Sequence, residues 1–343
     1  MKHCSLALVG FGNVGQAFAR LLLRKRDQLK TGFDLEFSVN GIITGRHGAV
    51  IDPHGVSLEN ALDLVSSGQS LDRLSVLPLP KDPFEFIRAC PADVLFENTP
   101  VNHHDGRPAS DYLQAALEHG MHAITANKGP VVHAFSRLTE LAHRNNRRFL
   151  FESAVMDGAP IFSLFRSSLP VVDLLGFHGI LNSCTNLLLQ QMEKGMSFDA
   201  AVEYAVSIGI AETDPAADID GWDAAIKIAA LSTVLMGIPL KPAEIDREGI
   251  RGITPAMIAS ASQAGERWKL VCRACRQGGR VVARVAPERV GPASPLFSID
   301  GTSSYVQFEL DVLPGLGIVE TNPGPETTAY GLLADLINAV RGA

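Results

Sequence analysis

With 343 residues, of which 46% are hydrophobic and 20% charged, the chain has room for two domains and the composition of a folded globular protein rather than a disordered one. A formal net charge of -7 and a pI near 5.8 argue against nucleic acid or an anionic membrane as a partner, and no apolar run approaches the length of a membrane span. The five cysteines, Cys4, Cys90, Cys184, Cys272 and Cys275, are too few and too scattered for a disulfide framework, so a reducing, cytoplasmic setting is expected.

The N-terminal stretch MKHCSLALVG runs from a short apolar segment straight into glycines, with no small-residue cleavage site, which predicts a first β-strand and not a signal peptide. Gly10, Phe11, Gly12, Asn13, Val14 and Gly15 follow, then helical periodicity through Phe18, Leu21 and Leu22. This is G-x-G-x-x-G in a strand–turn–helix setting. The glycines permit a tight turn and close backbone approach to a pyrophosphate, and the helix N-terminus adds positive potential, so dinucleotide binding is expected here. A second strand is predicted over EFSVNGIITG, residues 36–45. Where such a strand ends, an acid normally meets the adenosine ribose 2′-hydroxyl. This chain offers Arg46 instead, a guanidinium suited to a 2′-phosphate, the plain alternative being a solvated loop arginine.

The alternation continues. DVLFENTP (93–100) predicts a strand ending at Asn98 and Thr99, SDYLQAALEHG (110–120) a helix closed by glycine, and HAITAN (122–127) a strand that leaves Lys128 on the C-terminal edge where open parallel sheets bind ligands. A helix over VVHAFSRLTELAHRNN and a strand over RRFLFESAV come next. Then GFHGILNSCTNLLLQQM reads as strand followed by helix, MSFDAAVEYAVSIG as an amphipathic helix, and VVARVAPERV and SYVQFELDVL as strands of a second, antiparallel sheet. Cys272 and Cys275 form a C-x-x-C, but zinc would need a second pair or nearby histidines, and two buried strand residues is the simpler reading.

The segment DPAADIDGWDAAIKIAALSTVLMG, residues 214–237, carries the strongest chemical signal. Asp220 is a candidate N-cap, Asp223 follows three residues on, and Gly237 with Pro239 ends the helix. Asp223 and Lys227 are four apart and share a face. A surface ion pair is the ordinary outcome of that spacing. The run of Ala, Ile, Leu and Val around Lys227 leaves almost no polar face, however, which predicts a buried helix. A lysine there must reach a cleft or a carboxylate, since burying an unpaired ammonium costs several kcal/mol.

Taken in order, G-F-G-N-V-G, T-A-N-K-G-P (125–130), F-E-S-A-V (151–155), G-I-L-N-S-C-T-N (179–186), A-E-T-D-P-A-A-D-I-D-G-W-D-A-A-I-K (211–227) and T-A-Y-G (328–331) resemble the homoserine dehydrogenase family, over essentially the whole catalytic core. The resemblance implies an α/β protein with a Rossmann-type dinucleotide-binding domain (residues 1–135, rejoined by a helix at about 325–343) and an α+β catalytic and dimerisation domain (136–324). It implies NAD(P)-dependent interconversion of L-homoserine and L-aspartate 4-semialdehyde, a step of threonine and methionine biosynthesis, in a homodimer without a regulatory C-terminal domain. By position, Lys227 becomes the general acid/base with Asp223 beside it. Glu212 and Asp218 hold the ammonium and hydroxyl ends of the amino acid, next to Asn182, Ser183 and Cys184. Lys128 lies near nicotinamide and substrate, Thr99 near the nicotinamide ribose, and the carbonyls of Glu152, Val155, Asp157 and Ala159 match a stretch that binds sodium or potassium in some relatives.

Two departures stand out. After the asparagine of G-I-L-N the family commonly has Gly-Thr, where this chain has Ser183 and Cys184, and N-P-G-P-E-T-T-A-Y lacks the usual glycine-richness. A dehydrogenase of the same fold acting on a related amino or hydroxy acid is therefore a second reading. A non-catalytic nucleotide-binding sensor is a third, opposed by the joint presence of Lys227, Asp223, Glu212 and Lys128.

Overall fold

A computed structural model describes residues 2–341, and the chain divides into two compact units, one comprising Met1–Ser167 with Gly324–Ala343 and the other Ser168–Pro323. In the first unit β1 (Lys2–Val9), α1 (Asn13–Phe33), β2 (Leu35–Ile43), β3 (Ala49–Ile51), α2 (Leu58–Ser66), α3 (Pro83–Ala89), β4 (Val94–Glu97), α4 (Ala109–Glu118), β5 (His122–Thr125), α5 (Lys128–His133), α6 (Phe135–Arg144), β6 (Phe149–Leu150) and α7 (Phe162–Ser167) follow one another. Their strands form one sheet in the order β3-β2-β1-β4-β5-β6. It is parallel except at β2/β3. Strands such as β4 are buried along their whole length, as a sheet covered on both faces requires.

Four expectations are corrected in this unit. The division after residue 135 is too early, because β6 pairs with β5 and so belongs to the first sheet. The helix expected over VVHAFSRLTELAHRNN is two helices, interrupted at Ala134, whose φ of -136° leaves the helical region. The strand expected over RRFLFESAV shrinks to two residues, because Glu152 turns its buried carboxylate back to accept the N–H groups of Phe162 (2.7 Å) and Ser163 (2.8 Å) at the start of α7. The second strand also ends at Ile43, two residues earlier than expected.

The second unit holds β7 (Leu174–Ile180), α8 (Ser183–Glu193), α9 (Phe198–Ser207), α10 (Ala216–Ile219), α11 (Trp222–Leu235), β8 (Asp246–Arg247), α12 (Pro255–Gln263), β9 (Arg267–Gln277), β10 (Arg280–Val290), β11 (Ser304–Leu310) and β12 (Leu316–Glu320). The sheet order is β12-β11-β7-β9-β10-β8. All neighbours are antiparallel apart from β8 with β10. Cys272 and Cys275 sit three apart on β9 and thus point to opposite faces, the first fully buried and the second partly exposed, which separates the two thiols. Finally α13 (Pro325–Arg341) rejoins the first unit, where Leu332, Leu333 and Leu336 share a core with Phe18 and Leu22 of α1. Among the described residues no helix is long and apolar enough to cross a membrane.

Candidate active site

In the first unit the strand order reverses between β1 and β4, and the crevice beyond such strand ends is where open α/β sheets take ligands. The glycine loop lies there. Gly10 has φ +97°, and a Cβ on it would lie 2.5 Å from the carbonyl oxygen of Asn98, so glycine is required by the contact of the two strand ends. A Cβ on Gly15 would meet the Gly10 oxygen at 2.7 Å, which explains the third glycine as close helix–strand approach. Gly12, exposed at the start of α1, is different: a Cβ there meets nothing within 4 Å. The protein does not need that glycine for packing, whereas a pyrophosphate approaching the backbone does.

Asn98, directly after β4, has both side-chain polar atoms buried without a hydrogen-bond partner. Such a group is costly unless something satisfies it, and it adjoins the Gly10 backbone. The sequence reading passed over it as a strand end. Next to it the Thr99 N–H donates to Glu97 Oε1 at 2.8 Å and its hydroxyl donates to the same oxygen, while Thr125 Oγ1 donates to Oε2 at 2.7 Å. Burial pushes the Glu97 carboxyl above its usual range against these donors. Asn127 Nδ2 bonds the Thr99 carbonyl (3.3 Å) and its Oδ1 accepts the Gly129 N–H (3.0 Å), which starts α5 with half-buried Lys128 as its first residue. Gly10 N–H donates to the Ile43 carbonyl (2.9 Å), so the turn carrying Arg46 begins beside the glycine loop. Arg46 is exposed, its N–H turned in by Thr44 Oγ1 at 3.2 Å. A dinucleotide fits this set on two counts, the open space over Gly12 and the unmatched amide of Asn98.

The stretch proposed from resemblance to hold a cation is also in this unit. Glu152 N–H donates to Asp335 Oδ2 (2.7 Å), and Asp157 has φ +30°. The Ala159 carbonyl accepts the Ile161 N–H at 2.8 Å. Asp335 Oδ1 is buried with no partner, and burial, then the Glu152 charge, hold Asp335 well above the usual carboxylate range. A cation against this loop would offset the burial that keeps Asp335 protonated.

In the second unit α11 is buried on nearly every face, as its composition predicts, with Asp223 and Ala224 through Thr233 inside except half-buried Lys227. Its start differs from expectation. Gly221, at φ +79°, is the residue before the helix, and Asp220 ends α10 and is claimed by Arg251 (2.5 and 3.1 Å) rather than capping α11. Lys227 Nζ donates to the Leu181 carbonyl at 2.6 Å and lies 3.4 Å from Asp223 Oδ2, the two side chains being only 15% and 13% exposed. This is not a solvated surface pair.

Asn182 ties the acids together. Its Nδ2 donates to Asp218 Oδ1 (2.6 Å) and Asp223 Oδ2 (2.9 Å), while Oδ1 accepts the Thr185 N–H and hydroxyl, both at 2.8 Å, to cap α8. Ser183 and Cys184 part company here. The Ser183 hydroxyl meets Ser304 Oγ at 3.2 Å, whereas burial and then the Asp218 carboxylate raise the Cys184 thiol far above its usual value, so it stays protonated beside Asp218. Cys272 on β9, within reach of the Leu181 backbone, has its thiol pushed up to about 12 by burial. Asp218, Asp223, Asn182, Cys184 and Lys227 thus form one constellation. Glu212 is exposed on the segment before α10. The Leu181 carbonyl was invisible to sequence reading, because a backbone acceptor leaves no side-chain signature.

An ammonium oriented by a carbonyl and a carboxylate, next to acids bridged by one amide, can exchange a proton with a carbonyl oxygen while holding a cationic substrate group. Comparison with known proteins agrees with both halves. Residues 10–152 match the family model "Homoserine dehydrogenase, NAD binding domain" and residues 160–337 match "Homoserine dehydrogenase". The chain is 33% identical to the NAD(+)-dependent homoserine dehydrogenase of Pseudomonas canavaninivorans, covering 100% of this chain and 98% of that protein. It is 34% identical to homoserine dehydrogenase of Methanocaldococcus jannaschii, covering 97% of each. A hyperthermophilic archaeal homoserine dehydrogenase solved in complex with NADPH superposes with a TM-score of 0.85 at 26% identity, over 100% of this chain and 99% of that one. Likeness of this extent, in sequence and in fold and from end to end, means that the chain belongs to the homoserine dehydrogenase family of NAD(P)-dependent oxidoreductases.

Proposed function

We propose that the protein interconverts L-homoserine and L-aspartate 4-semialdehyde, with NADP preferred over NAD. The observation that carries this is the half-buried Lys227 linked through Asp223 and Asn182 to Asp218. Bound NADPH supplies the hydride. Lys227 delivers the proton to the aldehyde oxygen and stabilises the negative charge that develops there. Glu212 and Asp218 match the ammonium and hydroxyl ends of the amino acid, with Asp223 holding Lys227. Asn182, donating to both aspartates, keeps them apart in one geometry. In the first unit the backbone of residues 10–15 holds the pyrophosphate, Thr99 and Lys128 the nicotinamide end, and the Asn98 amide contributes its unmatched donors. Arg46 takes the 2′-phosphate.

The test is oxidation of NADPH and NADH, followed spectrophotometrically, with aspartate semialdehyde and a panel of related aldehydes. Aspartate semialdehyde is expected to be the best substrate and NADPH the better donor, with the preference lost in Arg46→Ala. Equal efficiency with both cofactors in the unaltered protein removes the role of Arg46, and a better aldehyde in the panel removes the substrate assignment.

Cys184 makes a separable prediction. Because its thiol faces Asp218 while Ser183 faces Ser304, Cys184→Thr should change the KM for the amino acid and Ser183→Gly should leave it within about twofold. Returning a hydroxyl to Asp218 is worth on the order of 1 kcal/mol, roughly fivefold in KM. Weak native activity that only the double substitution rescues would point to another substrate.

We also assign a homodimer, a cytoplasmic setting suited to five free cysteines, and a sodium or potassium ion at the carbonyls of Glu152, Val155, Asp157 and Ala159. The sheet face away from Cys272 carries Val282, which pairs with Cys275, and Val319, which pairs with Tyr305, 49% and 55% exposed. Such residues suit burial against a second copy. A monomer mass in sedimentation overturns the dimer, and a melting temperature indifferent to replacing potassium and sodium by choline overturns the ion.

A further inference from the structure

Asp218 sits on α10, a helix of only four residues, which is too short to hold its own geometry. Asp223 sits in the first turn of the buried α11. Besides the Asn182 bridge, what sets the first acid relative to the second is the connector between them, residues 220–222, and it is gripped from the segment around β8. Arg251 forms a two-pronged bond to the Asp220 carboxylate, Nε to Oδ1 at 2.5 Å and Nη2 to Oδ2 at 3.1 Å. Arg247 donates Nη1 to the Asp220 carbonyl, and its guanidinium carbon lies 3.7 Å from the ring centre of Trp222.

The backbone completes the grip. Ile250 N–H donates to the Ile219 carbonyl at 2.9 Å, and a Cβ on Gly249 would lie 2.3 Å from that oxygen, so only glycine allows the approach. Gly221, at φ +79°, would place a Cβ 3.3 Å from both Arg247 Cγ and Val285 Cγ1. The gripping segment is itself tied to the sheet, with Glu248 N–H donating to the Val285 carbonyl at 2.8 Å and β8 paired to β10. The hydrogen bond from Arg251 holds the Asp220 carboxyl below the usual carboxylate range, so the pair is ionised at neutral pH.

We propose that Arg247 and Arg251 are positioning residues: by clamping residues 220–222 to the β8–β10 edge of the sheet they hold Asp218 at the distance from Asp223 and Lys227 that the amino acid requires. This rests on the reading of Asp218 and Asp223 as substrate-binding acids. A two-pronged charge-assisted bond specifies geometry as well as energy, and a small misplacement of a binding group is felt strongly in the kinetics.

Steady-state kinetics on the full chain test it. Arg251→Met and Arg247→Met are each expected to raise the KM for the amino acid by about tenfold, with the KM for the nicotinamide cofactor within about twofold of the unaltered protein and Arg251→Lys recovering part of the loss. Asp220→Asn removes the same ion pair with a change of one atom, and should match Arg251→Met, with the double variant no worse than either single one. Multiplying effects in the double variant, or a KM within twofold in both arginine variants, overturn the clamp. Should Arg251→Met fail to fold, Asp220→Asn decides. Hydrogen exchange of the 216–222 amides reads the clamp without any substrate: faster exchange in Asp220→Asn supports it, and unchanged exchange overturns it. Absence of aspartate semialdehyde turnover in the unaltered protein, by contrast, overturns only the role given to Asp218 and Asp223.

Discussion

Lys227→Ala is expected to lower turnover by about 10²–10⁴-fold, the range for removing a positioned general acid or base, with the affinity for NADPH nearly unchanged. In free energy this is roughly 3–5 kcal/mol of lost transition-state stabilisation. The geometry favours a large effect. The Leu181 carbonyl at 2.6 Å and Asp223 at 3.4 Å orient the ammonium, and its 15% exposure excludes most of the water that could deliver the proton instead. A surface ion pair of the same spacing would change turnover by almost nothing. Single-turnover measurements with NADPH and aspartate semialdehyde separate the chemical step from binding. Near-normal rates in the variant would return Lys227 to a structural role, pinning the end of β7 to α11 through Leu181.

The second large effect is expected at the glycine loop, where two neighbouring glycines should answer differently. Gly10→Ala forces an L side chain to φ +97° and a Cβ to 2.5 Å from a backbone oxygen that cannot swing aside, so it should destabilise the first unit by about 2–5 kcal/mol and abolish measurable NADPH binding. Gly12→Ala has ordinary backbone angles (φ -78°, ψ -154°) and an unobstructed Cβ, so stability should change by no more than about 1 kcal/mol. Its methyl nevertheless enters the space that a pyrophosphate needs, and the Kd for NADPH should rise by about an order of magnitude or more. Thermal unfolding paired with NADPH fluorescence titration checks both. Unimpaired binding by a stable Gly12→Ala protein would remove the glycine loop from the cofactor site.

The contrast between those glycines marks the border between local and long-range information. Strand, turn and helix around residues 2–33 were legible because apolar periodicity and a glycine pattern are properties of neighbouring residues, and the energies that make them act over a few residues. The burial of α11 was legible for the same reason, since a helix without a polar face has nowhere else to go. Lys227 could therefore be singled out from its own segment, before any partner was known.

Its partners could not. Leu181 lies 46 residues away and contributes only a carbonyl, and Asn182 reaches Asp218 and Asp223 across 36 and 41 residues. Which of two adjacent residues, Ser183 or Cys184, would face the acids depends on the rotation of α8 about its axis, because successive helical side chains diverge by about 100°, and packing decides that rotation. Asp220 failed as a cap because Arg251, 31 residues on, claims its carboxylate, and the glycine that follows can adopt the left-handed turn that an aspartate adopts only at a cost. The sequence by itself determined most of the element types, the glycine loop and a lysine on a buried helix, all short-range consequences of residue chemistry. Tertiary structure alone decided where the units divide, which acid pairs with which donor, and that Asn98 presents an unsatisfied amide, because each of these is the outcome of competition among groups that only the folded chain brings together.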